Sequence, residues 1–196
     1  MSKTKDKPHH HGDLRNALIR ETISMLDEIG AEAISLRKLA AKAGVSHAAP
    51  THHFGNLAGL LAAVAAEGYR RFRLSMVDAV PENASDQDRL FGICRGYLRF
   101  AEEHPALLDL MFRIQAPEKE SCNLDQEGSD SYEILRQAAA PFTRDPTHAR
   151  VVEAQIWSLI HGYAVLRMNS RLGAEPDDPA GDLDQILGLL EGLWAK

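Results

Sequence analysis

The sequence predicts an all-α protein: an N-terminal three-helix domain containing a helix-turn-helix, followed by a larger C-terminal helical domain. Three observations predict it. Apolar residues recur at three- and four-residue spacing along most of the chain, and no useful run alternates as a strand would. Serines stand before these apolar runs, and glycines or prolines stand after them. Two short helical runs also meet across one glycine, Gly44.

The elements follow in order. A first helix is expected over 13–29, with Leu14, Leu18, Ile23, Leu26 and Ile29 facing inward and Gly30 as its stop. Ser35 offers an N-cap for a short helix over 36–43, which Gly44 ends. Ser46 is expected to cap a third helix, closed by Phe54, Gly55 and Asn56. A longer helix over 57–80 stops at Pro81. Ser85 to Asp88 resembles a capping box and opens a helix reaching His104, and Pro105 starts the next. The polar stretch 117–131, with Gly128, reads as a loop or frayed turn. Three more helices are expected over 132–140, 146–172 and 179–194. The expected divisions are a flexible basic, histidine-containing arm (1–12), a head (13–58) and a helical body (59–196), with the long helix itself as the link.

Composition narrows the function classes. A hydrophobic fraction of 44% over 196 residues is enough to bury a core. No stretch nears the roughly 18 uninterrupted apolar residues of a membrane span. The first residues lack the apolar segment of a secretory signal, and Cys94 and Cys122 lie far apart with no CxxC spacing, so a reducing cytoplasm is expected. Residues 1–60 hold eight Lys/Arg against six Asp/Glu, net +2, within a chain of −6 overall, so the body is acidic. Six of the nine histidines also lie in that first stretch. The asymmetry suits an anion-facing end, and equally suits ordinary surface charge.

No enzyme is expected: there is no nucleophile–base pair, no GxxxxGK loop and no HExxH. Cys94 and His104 lie ten residues apart on one helix and cannot meet. No metal or other cofactor is expected either. His9, His10 and His11 are adjacent and cannot all turn to one ion from a regular helix.

The informative segment is SLRKLAAKAGVSHAAPTHHF, residues 35–54. Ala40, four residues before Gly44, lets two helices cross closely, and Gly44 can take the positive φ that ends a helix abruptly. Leu36, Leu39, Val45 and Phe54 supply apolar contacts to fix the angle. Such a corner can present the second helix to a major groove while the first crosses the backbone. A plain helical hairpin in a bundle is the other reading.

Residues 10–65 resemble the N-terminal domain of the TetR family, through HHGDLR, a first helix, the segment above and a Leu/Ala-rich helix. Trp157, His161 and Gly162 resemble the Trp…His-Gly signature of one C-terminal class of that family. The resemblance implies that His47, Ala48, Thr51 and His52 face a DNA groove and that His53 contacts a phosphate. Ser46 would cap that helix, and Ser35 and Arg37 would hold backbone phosphates. Imidazole can donate or accept at a base edge, and Ala48 can meet a thymine methyl. Two positions depart from the family: Thr51 replaces a usual Tyr, and Leu57 replaces a frequent basic residue. Both losses remove phosphate contacts, so Lys3, Lys5 and Lys7 of the arm become candidates to replace them, or simply part of a disordered tail. Pro50 forfeits one early helical bond.

In the body, Phe91, Tyr97, Met111, Phe112, Trp157 and His161 are candidates to line an apolar pocket, though each is also an ordinary core residue. The resemblance implies an unidentified small-molecule effector for that pocket. Ile156, Leu159, Tyr163 and Leu166, with Leu183, Ile186, Leu187, Leu190 and Trp194, form wide apolar stripes on the last two helices. The resemblance implies a homodimer through them, with Gly188 and Gly192 permitting close approach. The expected partners are therefore a double-stranded DNA operator, a second copy and the effector, with no membrane. The alternative is a helical ligand-binding or interaction protein whose head no longer binds DNA.

Overall fold

The computed structural model describes residues 11–114, 123–172 and 178–194, and among them every regular element is a helix, with no strand. The head consists of α1 (His11–Ile29), α2 (Leu36–Ala43) and α3 (Ala48–Phe54). Leu18, Ile23 and Leu26 of α1 pack with Leu39 of α2 and Phe54 of α3, all nearly sealed from solvent. Each such side chain contributes roughly 1.5–3 kcal/mol of burial free energy. Ile29, expected inward, is 42% exposed because α1 ends at that residue, beyond the reach of α2. The Arg15 guanidinium lies 5.3 Å from the centre of the Phe54 ring, tying the start of α1 to the end of α3.

Helix α4 (Leu57–Asp78) begins two residues after α3 and runs without a break into the body. Asn56 caps it, its side-chain oxygen accepting the Gly59 N–H at 2.9 Å. The body adds α5 (Asp86–Glu103), α6 (Pro105–Arg113), α7 (Leu124–Ala139), α8 (Pro146–Met168) and α9 (Leu183–Trp194). Ser85 caps α5 through the Asp88 N–H, Pro105 opens α6, and Asp145 caps α8. Most of the body core forms where α5 and α7 lie against α4. No helix among the described residues is long and apolar enough to cross a membrane.

Helix α7 corrects the expected loop over 117–131, because its residues from Leu124 onward are helical. Leu124, Ser131, Leu135 and Ala138 form its buried face. Ser131 hides in that face because its hydroxyl donates to the Glu127 carbonyl at 2.8 Å and also lies 3.1 Å from the Tyr69 carbonyl. The arm residues Lys3, Lys5, Lys7, His9 and His10, together with Pro117 and Cys122, lie outside the described residues.

Candidate nucleic-acid interface and ligand cavity

The corner forms as its residues require. The Ser35 hydroxyl accepts the Lys38 N–H at 3.2 Å and so caps α2. Gly44 ends α2 in the left-handed region, at φ 66° and ψ 30°, and the Val45 N–H closes back on the Ala40 carbonyl at 3.0 Å. Ala40 is fully buried in the crossing.

The expected cap at Ser46 is corrected. His47 is already helical, so the first turn of α3 opens on the Ser46 carbonyl, which accepts the Ala49 N–H, and no side chain caps it. Pro50 therefore falls in the first turn, where N–H groups have no partner within the helix, and it forfeits no bond. Its ring is buried.

Arg37, Ser46, His47, Ala48, Thr51 and His52 are all exposed, and Ser35 and His53 are half-buried. His47, Ala48, Thr51 and His52 share one face of α3 by their spacing. Two basic side chains of α2 are engaged internally. The Lys42 ammonium pairs with Glu28 at 2.6 Å and Glu21 at 3.3 Å, bracing α2 on α1, and Lys38 donates to the Ala33 carbonyl. The Glu28 bond holds the Lys42 ammonium above its ordinary pKa. Arg37 remains the outward cation of that helix.

The body holds a cavity of about 140 Å³ that opens toward solvent beside Tyr132 and Trp157. Tyr69, Phe72 and Met76 of α4 line one side, Ile93, Cys94 and Tyr97 of α5 another, and Ser131, Tyr132 and Leu135 of α7 a third; Phe112, Trp157 and Ile160 complete the wall. The rings interlock: Phe72 and Tyr97 meet edge to face with centroids 4.7 Å apart, and Tyr132 and Trp157 lie tilted at 5.6 Å.

Of the six pocket candidates, Tyr97, Phe112 and Trp157 line this cavity. Phe91 and Met111 do not. Phe91 is buried elsewhere in the core, and Met111, one residue from Phe112, turns about 100° away to pack under Gly68 of α4. His161 stands behind the wall: its Nδ1 lies 2.7 Å from the Tyr97 hydroxyl, and its ring meets Phe112 at 4.9 Å. The Trp…His-Gly signature thus divides its work, Trp157 in the wall, His161 bracing Tyr97, and Gly162 leaving 4 Å of clear space around its missing side chain.

Burial pushes the Cys94 thiol up to about 12, so it stays protonated and inert at neutral pH. Burial likewise lowers the pKa of His161 below its ordinary 6.5. The unfolded chain therefore takes up that proton first as pH falls. Stability is full above 6.5 and is lost as pH drops from there through the folded value. Thermal denaturation across pH 7.5 to 5 is expected to show this loss. Replacing His161 with Gln is expected to flatten the profile; an unchanged slope would remove His161 as its source.

Helices α8 and α9 correct the expected dimer stripe. Ile156, Tyr163, Leu183, Leu187 and Leu190 are buried in the chain's own core, because the wider apolar face of each helix is needed to close the body. Leu159 and Ile186 are half-buried, and Leu166 is exposed. The opposite face of α8 carries Val151, Ala154, Gln155, Ser158, Gly162, Val165 and Leu166, without a charge. Leu189 of α9 is 68% exposed, and no atom lies within 4 Å of a side chain placed at Gly188. Trp194 and Gly192 have side-chain positions outside those described.

The sequence reading missed Tyr69, Phe72 and Met76, although their spacing of three and four on one helix was visible. It missed Ser131 because a polar run hid the first half of α7, and it placed Tyr132 and Leu135 in an expected helix without assigning them to the pocket.

Residues 18–64 match the model of bacterial regulatory proteins of the tetR family, and residues 90–190 match that of the tetracyclin repressor-like C-terminal domain. No curated protein sequence matches significantly. Among solved structures, a protein of unknown function from Rhodococcus sp. RHA1 is 30% identical, with a TM-score of 0.76 over 96% of this chain and 97% of that one. A tetR-family transcriptional regulator from Streptomyces coelicolor is 20% identical, with a TM-score of 0.70 over 93% and 80%. A TetR variant from Acinetobacter baumannii AYE, in complex with minocycline, is 18% identical, with a TM-score of 0.62 over 93% and 95%.

Proposed function

The chain belongs to the TetR family of transcriptional regulators, a family of regulators and not of enzymes, and from that premise we propose that it is a repressor released by a small apolar or amphipathic ligand. It binds a near-palindromic operator as a homodimer, with half-sites about one helical turn, roughly 34 Å, apart. Sequence is read by His47, Ala48, Thr51 and His52, while Ser35, Arg37, Ser46 and His53 meet the DNA backbone.

One observation carries the reading. Helix α4 runs unbroken from Leu57, beside α3, to Tyr69, Phe72 and Met76 in the cavity wall. A ligand that fits the cavity better in one setting of α4 favours one spacing of the two heads. The exposed, uncharged face of α8 supports the second copy, because such a face gains by being covered.

A gel-shift titration with DNA upstream of the protein's own gene tests the recognition surface. His52→Ala and Thr51→Ala are each expected to weaken binding about five- to tenfold, as loss of one contact at a base or phosphate should. Both residues are exposed, so the oligomeric state should not change. Unchanged affinity in both variants would sink the assignment. Salt-insensitive binding, or none, at this and other candidate operators would favour a head that has lost its DNA function.

A further inference from the structure

We propose that the cavity is built for a neutral, single-ring aromatic molecule of phenol size, held by ring contacts and one hydrogen bond to Tyr97. This rests on the reading of the cavity as the effector site.

Size comes first. At about 140 Å³ the space is close to the roughly 150 Å³ of an apolar cavity that takes up benzene. Charge comes second. None of the residues lining the wall is ionised at neutral pH, and among the described residues no lysine or arginine lines it. A carboxylate entering would lose its hydration without gaining a counter-charge. Glu153, 2.6 Å from the Tyr132 hydroxyl behind the rim, adds a negative charge that opposes anions further.

The wall itself selects for a ring. Six aromatic side chains, Tyr69, Phe72, Tyr97, Phe112, Tyr132 and Trp157, offer edges and faces to a flat guest. Their polar tips are largely engaged within the protein. Tyr69 donates to the Met111 carbonyl at 3.0 Å, and Tyr132 donates to Glu153. The Tyr97 hydroxyl lies 2.7 Å from His161 Nδ1 and also accepts from the Trp157 indole N–H. With one proton and two lone pairs it keeps one capacity for the guest: its second lone pair if it donates to His161, its own proton if it accepts from both. A phenolic hydroxyl satisfies either case. Tyr132 and Trp157 are 38% and 39% exposed, so the side between α7 and α8 is the way in from solvent.

The test is calorimetric titration of the full-length protein with p-cresol, toluene, benzoate and 1-hexanol, with two variants. Gly128 lines the cavity, and a Cβ there would meet nothing nearer than the Tyr69 ring at 3.8 Å, so a longer side chain extends into the space. Gly128→Leu therefore fills the space without breaking the helix, which gains propensity. p-Cresol is expected to bind about fivefold tighter than toluene, one hydrogen bond's worth, and both more tightly than benzoate or hexanol. Gly128→Leu is expected to abolish both aromatic interactions, and Tyr97→Phe to erase the cresol advantage. Benzoate or hexanol binding best, and lost in Gly128→Leu, would overturn the ligand class but leave the effector site standing. Cresol binding equally well to Gly128→Leu would overturn the site itself. Binding by none of the four would overturn the aromatic class.

Discussion

Gly96→Leu is expected to lower the melting temperature of the protein by about 6–12 °C, the result of a loss of about 3 kcal/mol or more. The cause is backbone meeting backbone. A side chain at Gly96 on α5 would run into the Ser75 carbonyl and lie 2.6 Å from the Met76 Cα of α4. No rotamer relieves a clash with main chain, so the two helices would have to part. The crossing is also laced by polar bonds: the Ser75 hydroxyl donates to the Gly96 carbonyl at 2.9 Å, and Arg99 donates to the Ser75 carbonyl at 2.9 Å. Separation would break these and loosen Phe72, Met76, Tyr97 and Phe100, which fill the space behind. Gly128→Ala is the control, since its added methyl meets only ordinary contact. Thermal denaturation followed by circular dichroism reads both. A Gly96→Leu melting temperature within about 2 °C of the parent would show that the crossing is looser than described.

That crossing is also the bearing on which α4 would swing, so its tightness bears on regulation. On the proposed reading, a ligand in the cavity would touch Tyr69, Phe72 and Met76, within two turns of Ser75 along α4. With its far end held against α5, any adjustment of α4 is carried toward Leu57 and the head. Coupling needs a stiff element, and α4 is one helix of 22 residues without a proline.

The head was largely legible because local chemistry dictates it. Ser35 and Gly44 act on neighbours three to five residues away, and the N-cap and left-handed stop they suggest are the ones observed. Ser46 was misjudged because whether a helix starts at 46 or 48 depends on His47 adopting helical angles, which no residue type announces. The body was legible in its caps and less so in its faces. Phe112 and Met111 are equally apolar neighbours, and only the tertiary packing decides which one turns to the cavity. Helix α7 failed for a related reason: its inner position 131 is a serine made tolerable by partners at Glu127 and Tyr69, the latter 62 residues away. In the apolar stripes of α8 and α9, the chain itself covers Ile156, Tyr163, Leu183, Leu187 and Leu190, and leaves Leu166 exposed.

Val165→Asp combined with Leu166→Asp is expected to convert the protein to monomers and to weaken operator binding by about a hundredfold or more. Both residues lie on the uncharged outer face of α8, 36% and 44% exposed, and make no contribution to the sealed core. Carboxylates there cost the isolated subunit little, since they remain in water. Across a two-fold interface both subunits would bring their pair to the same seam, so four new negative charges would gather there. The body's acidic balance offers few cations to absorb them. In the proposed dimer, its loss would unlink two heads that share one effective concentration on the operator, and such linkage is worth about 10²–10⁴ in affinity. Sedimentation velocity reads the first effect and gel shift the second, with circular dichroism confirming an unchanged helix content. A variant that still sediments as a dimer would move the interface off this face. A folded monomer that binds the operator as tightly as the parent would mean that one head suffices, and the palindromic operator would lose its physical basis.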